Sequence, residues 1–164
     1  MGVFASLPLG GGALGGTAGG FLNDLLIHAS GSRRWGRSAV AFTGKLLAGV
    51  LIAASLAVPD GRGVMVVLLG CKFFGDWSLA TQWGTITDVG GRASGTVFGV
   101  VNMVGGLAAF VAGPVMGHLK QGYGWGGLFL GVAGAYVAAA ACWLVIDCTR
   151  RLVSEAEGRP DGQR

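Results

Sequence analysis

The sequence predicts an all-α fold: a polytopic bundle of transmembrane helices with about five spans. Three observations lead there. Of the 164 residues, 52% are hydrophobic and only 12% are charged, where a soluble domain carries roughly 25% charged residues. The mean hydropathy is +0.61. The apolar residues are gathered into runs near the ~20 residues a helix needs to cross a bilayer. A chain of this composition cannot cover itself with polar side chains in water, so lipid is its natural solvent.

The spans follow in order. The first is about Val3–Leu22, glycine-rich and the weakest in hydropathy; the second is about Ser38–Val58 and the third about Val64–Thr85. The fourth is about Thr96–Leu119 and the fifth about Gly126–Ile146. Lipid offers no hydrogen bonds, so each run must satisfy its own backbone as a helix. A β-barrel is excluded because runs such as "VMVVLLG" do not alternate. The connections "HASGSRRWGR", "VPDGRG", "DVGGRASG" and "KQGYGWG" are short and hold glycine, proline or charge, as turns do. Residues 1–149 therefore form one helix bundle, and residues 150–164 a polar tail.

The net charge is +4 and the isoelectric point about 9.3. No basic stripe is interleaved with aromatics, so nucleic acid is not the partner; the charge reports topology. Arg33, Arg34, Arg37, Arg92, Arg150, Arg151, Arg159 and Arg164 fall on one side of the bundle, Arg62 and Lys120 on the other. Eight against two places the first loop, the third loop and the C-terminal tail in the cytoplasm. The expected location is the cell's inner membrane.

Other motifs are weaker. Cys71, Cys142 and Cys148 lie in or at the end of apolar runs with no CxxC or Cys/His spacing, so they read as packing residues. "MGVFAS" fits a myristoylation pattern, but the apolar chain runs straight on into a helix. The stretch lacks the positive start of a cleaved signal peptide. Gly10, Gly12 and Gly15 match GxGxxG without a preceding strand, so no dinucleotide site is expected. Small residues recur four apart at Gly16/Gly20, Gly95/Gly99, Gly113/Gly117 and Gly127/Gly131, which predicts close helix contact. No GxSxG, HExxH or P-loop is present, and neither an enzyme, a cofactor nor a metal is expected.

Two stretches carry a family resemblance. "GGFLNDLLIHASGSRRWGR" holds a glycine, an aspartate (Asp24) and a basic cluster (Arg33, Arg34, Arg37). It resembles the cytoplasmic loop signature of the major facilitator superfamily, departing where Leu25 replaces a basic residue. "KFFGDWSLATQWGTITDVGGRASGTVFGVVNMVGGLAAFVAGPVMGHL" looks like the tenth and eleventh helices of that superfamily's anion:cation symporter branch. Asn102, Gly105, Gly106 and Pro114 fit the eleventh helix. The branch's usual Asn-Asp pair in the tenth is here Gly75-Asp76. The resemblance spans the eighth to the twelfth helix and implies a hexuronate-type organic-anion transporter. Asp24, Arg33, Arg34, Arg37, Asp88, Arg92 and Pro114 are then gate or structural residues.

Within the third span, Lys72 and Asp76 are four apart and stack on one helix face. An ion at mid-bilayer costs about 3 kcal/mol on insertion scales, which pairing lowers. Leu79 and Trp83 share that face; Thr81, Thr85 and Asp88 lie opposite. The resemblance implies that Lys72 attracts an organic anion, Asp76 accepts a coupling proton and Trp83 stacks on substrate. Gln82 and Asn102 are expected as cavity hydrogen bonders. Lys45 is expected to snorkel to the headgroups, and Pro114 to kink its helix. Trp35, Trp77 and Trp125 are interfacial or packing residues, and His28 and His118 lie near interfaces.

The expected function is symport of a small organic anion, a sugar acid or carboxylate, with a proton or sodium ion. Five spans with the N-terminus outside is half a carrier, so missing N-terminal helices are expected as partners beside the lipid. The rival is a membrane scaffold or truncated inactive product using its glycine faces only for packing.

Overall fold

The computed structural model describes residues 2–152, with side chains from residue 9 onward; the tail beyond Leu152, including Arg159 and Arg164, lies outside the described residues. Most of those residues are helical, with no strand among them: α1 (Gly2–Ser30), α2 (Arg33–Ala54), α3 (Gly61–Trp77), α4 (Leu79–Gly90) and α5 (Ser94–Val145). Short 3-10 turns at Ser55–Ala57 and Gly91–Ala93 finish α2 and separate α4 from α5. The stretches Arg33–Ala57 and Gly61–Val145 have the length and apolarity to cross a bilayer.

Three boundaries differ from the sequence expectation. First, α1 does not stop at Leu22. It runs 29 residues, or about 43 Å at 1.5 Å per residue, and so carries two further turns beyond the apolar stretch. The first loop shrinks to Gly31 and Ser32, with Gly31 at φ 63° where the chain must reverse. The Ser32 side chain caps α2 by accepting from the Trp35 amide. Arg33, Arg34 and Arg37 therefore stand on the first turns of α2 rather than in a loop.

Second, the third span is broken. Ser78, at φ −83° and ψ −1°, separates α3 from α4. Third, the backbone stays helical through Pro114, and the departure comes ten residues later at Gly124 (φ 69°, ψ −165°). A straight helix of 52 residues would be about 78 Å long, more than twice the ~30 Å hydrocarbon core. The glycine at positive φ turns α5 back on itself, so it supplies both the fourth and fifth spans. "KQGYGWG" is a sharp corner inside a helical run rather than a loop.

Packing is closest along the seam of α1 and α3. A Cβ placed on Gly15 or Gly19 would overlap the backbone of Phe73 or Trp77, and one on Gly11 would sit 2.8 Å from the Leu69 carbonyl oxygen. The contact stripe is thus Gly11, Gly15 and Gly19, one step from the expected Gly16/Gly20 pair, which has ordinary room. A second close crossing occurs where Gly44 of α2 meets the Phe74 carbonyl and the Trp77 ring. Trp77 is accordingly a packing residue: it lies edge-on to Phe73 and its indole nitrogen is buried without a partner among the described residues. A small apolar cluster of Ala48, Ile52, Cys71 and Ala133 joins α2, α3 and α5. The first half of α5 is exposed on nearly every side, and a Cβ on Gly95, Gly99, Gly113 or Gly117 would meet nothing within 4 Å among the described residues.

Candidate functional site

The third span presents two unlike faces. On one, Lys72 Nζ donates to Asp76 Oδ2 at 2.5 Å, and the two side chains keep 42% and 27% of their surface. The carboxylate lies close against α1 at Gly12, where an added methyl would displace it. Past the break, Leu79 and Trp83 of α4 are both about half exposed. Trp83 stacks on Phe98 of α5 with ring centroids 4.6 Å apart. Asn102 lies one turn beyond Phe98 and is exposed; Gln82 is half-buried beside Trp83. Lys72 and Asp76 of α3 thus lie against Gly12 of α1, whereas Trp83 of α4 lies against Phe98 of α5, the helix that also carries Asn102.

The opposite face is dry and structural. Thr81 is fully buried and its hydroxyl donates to Asn23 Oδ1 of α1 at 3.3 Å. Thr85 returns its hydroxyl to the Thr81 carbonyl at 2.8 Å. Asp88 ends this face and receives Arg37 at 2.9 Å and Arg33 at 3.7 Å. Arginines at the start of a helix oppose its dipole, as does an acid in the last turn. Here the two unfavourable placements, at the start of α2 and the end of α4, neutralise each other. Gly84 leaves room for the Arg37 guanidinium, whose Nε and Nη1 are buried without hydrogen-bond partners among the described residues.

Asp24, expected as a gate or structural residue with Arg33, Arg34 and Arg37, makes no ion pair with them among the described residues. Asp24 sits within α1, exposed, and its recorded bond is from Asn23 Nδ2 at 3.3 Å. The arginines turn instead to Asp88 and to Asp147, which pairs with Arg34 and Arg150 at 3.6 Å each. The hydroxyl of Thr149, and then its amide, bond the Asp147 carboxylate and hold its pKa below the ordinary value of 3.8. The strap after α5 is further tied by the Leu152 amide, which donates to the Val89 carbonyl at 2.9 Å. Cys148 is buried under it, and burial pushes its thiol pKa up. The first turn, the end of α4 and the C-terminal strap therefore lie at one end of the bundle, with Arg92 in the turn between α4 and α5.

Several residues were not legible as partners. Asp147 had a signal, since Arg150 follows it by three positions. Asn23 was hidden beside Asp24. Lys45 does not snorkel: its Nζ donates to the Gly75 carbonyl at 3.0 Å inside the bundle.

No protein-family profile matches the chain, and no solved structure matches it. Curated relatives do. Over 141 residues, 86% of this chain, it is 30% identical to a protein of Cupriavidus necator named "probable sulfoacetate transporter SauU", covering 33% of that protein. It is 26% identical to the "probable galactarate/D-glucarate transporter GudP" of Bacillus subtilis over 98% of this chain and 36% of the relative. It is 28% identical to the like-named GarP of Escherichia coli over 89% and 33%. The chain spans about a third of the length of these relatives. With its apolar helical bundle, it is an integral membrane protein similar to part of a major-facilitator-type organic-anion transporter.

Proposed function

We propose that this chain is the C-terminal part of a secondary active symporter for a small organic anion, a sugar acid or carboxylate. It acts in the inner membrane with its C-terminus cytoplasmic, and the missing N-terminal helices complete the carrier. Lys72 draws the anion in, Asp76 carries the coupling proton or sits beside a coupling sodium, and Gln82, Trp83 and Asn102 hold the substrate. Arg33, Arg34, Arg37, Asp88 and Arg92 form the inner gate. The observation that carries this reading is the partly exposed Lys72–Asp76 ion pair inside an apolar span. A pair serving only to join helices gains nothing from exposure, whereas a carrier needs its ions within reach of water. The names of the relatives support an organic anion as cargo.

The test is uptake by proteoliposomes holding a full-length carrier with this segment in place. Lys72→Ala and Asp76→Asn are expected to abolish uptake at normal expression. Uptake within twofold of the parent for both would overturn the assignment. A scaffold reading is favoured by one observation, the unpartnered glycines of α5. It expects instead that Gly99→Leu or Gly113→Leu destroys complex formation while the Lys72 and Asp76 variants change nothing.

A further inference from the structure

Lys45 is the one charged side chain of α2 past its first turns, and its surroundings give it a specific task. A helix end leaves its last carbonyls without helical partners. At the break between α3 and α4, the Gly75 carbonyl is met by Lys45 Nζ at 3.0 Å and by the Ser78 hydroxyl at 3.4 Å. The carbonyl end of a helix carries partial negative charge, which favours a cation there. Ser78 is fully buried and Gly75 is buried, so the freed carbonyl has no access to water.

The lysine is held in place from two sides. Gly44, its neighbour, lets α2 lie against the last turn of α3: a Cβ there would stand 2.8 Å from the Phe74 carbonyl oxygen. Tyr136 of α5 covers the ammonium with its ring, 5.7 Å from the centroid, and its hydroxyl would be 3.3 Å from a Cβ on Gly75. An apolar cavity of about 450 Å³ opens beyond Lys45 and Tyr136, and on its other side the ammonium feels the charges of Asp76 and Lys72. An aliphatic residue would be cheaper in lipid by about 3 kcal/mol. The Asp76 charge favours a cation here in general, but the hydrogen bond of Lys45 goes to the Gly75 carbonyl.

We propose that Lys45 is a positioning residue that fixes the angle of the broken third span. By capping the Gly75 carbonyl, it keeps Lys72 and Asp76 on α3 in register with Gln82 and Trp83 on α4. The importance of that register rests on the transport reading above; the cap itself does not.

Two measurements separate the two ideas. The first is hydrogen–deuterium exchange of this chain in detergent micelles, followed on peptides covering residues 73–82. Lys45→Met removes the donor but keeps the length, and is expected to speed exchange of that segment at least tenfold while α1 is unchanged. Lys45→Arg keeps a donor and is expected to restore protection. Unchanged exchange in K45M overturns the proposal. Should K45M not accumulate, K45Q, whose amide is too short to reach, is compared with K45R, and equal protection in the two overturns it. The second measurement is uptake by the full-length carrier with this segment in place. K45M is expected to raise KM for the anion at least fivefold with kcat within twofold, and K45R to rescue KM. If exchange responds but KM does not, the cap stands and the substrate role of this face fails.

Discussion

Replacing Gly15 by alanine tests the seam on which the bundle rests. A methyl on Gly15 would sit 2.9 Å from the Phe73 Cα and 2.7 Å from its carbonyl carbon, and closer still to the oxygen. Those are backbone atoms of α3, so no rotamer can move them aside. The helices must part by on the order of 1 Å, which forfeits a quarter to a half of the dispersion energy of each contact along the seam. Overpacking of this kind costs about 1–3 kcal/mol, while alanine returns up to ~1 kcal/mol of helix propensity. The next glycine is the control. A methyl on Gly16 finds its nearest atom, the Asp76 carbonyl oxygen, at 3.8 Å, an ordinary contact. Gly16→Ala should therefore be neutral or slightly stabilising. At about 2–4 °C per kcal/mol for a chain of this size, Gly15→Ala is expected to melt roughly 3–8 °C below Gly16→Ala. Tryptophan fluorescence of the purified chain in detergent reads the difference. Equal melting temperatures, or a higher one for Gly15→Ala, would refute the close approach of α1 and α3.

Asp88→Asn leaves Arg37 buried without its counter-charge, and is expected to destabilise the end of the bundle by about 3 kcal/mol; faster maleimide labelling of buried Cys148 would register the opening, and an unchanged rate would count against the ion cluster. Thr81→Val keeps shape but removes the bond to Asn23, at a cost of ~1 kcal/mol; thermal unfolding checks it, with Asn23→Leu/Thr81→Val expected to recover most of the loss. The depressed Asp147 pKa means that folding favours its ionised form. That contribution is present above the ordinary carboxylate pKa and is lost as pH falls through the folded-state value. The strap should therefore hold at neutral pH and loosen only in acid below about pH 4. Carbon-13 titration of the Asp147 carboxyl should show a low midpoint that Thr149→Val moves up toward 3.8.

Solvation alone decided much of this protein. The runs from Ser38 to Val58 and from Val64 to Thr85 had to be helical because lipid supplies no partners for a bare backbone. The arginine count put the first turn, the end of α4 and the strap at one end, because the positive-inside bias acts on composition rather than on contacts. The stacking of Lys72 on Asp76 was likewise local, a matter of four residues on one helix. Tertiary structure decided the rest. Periodicity cannot distinguish Gly15 from Gly16, since both lie on a small-residue helix; only the position of α3 makes the first indispensable. Nor could sequence say that the arginines would leave Asp24 for Asp88 and Asp147, which lie 51 or more positions along the chain from Arg37. The break at Ser78 was invisible for the same reason: no proline marks it. What stabilises it is a lysine from another helix, 30 residues away, that satisfies the carbonyl the break leaves open.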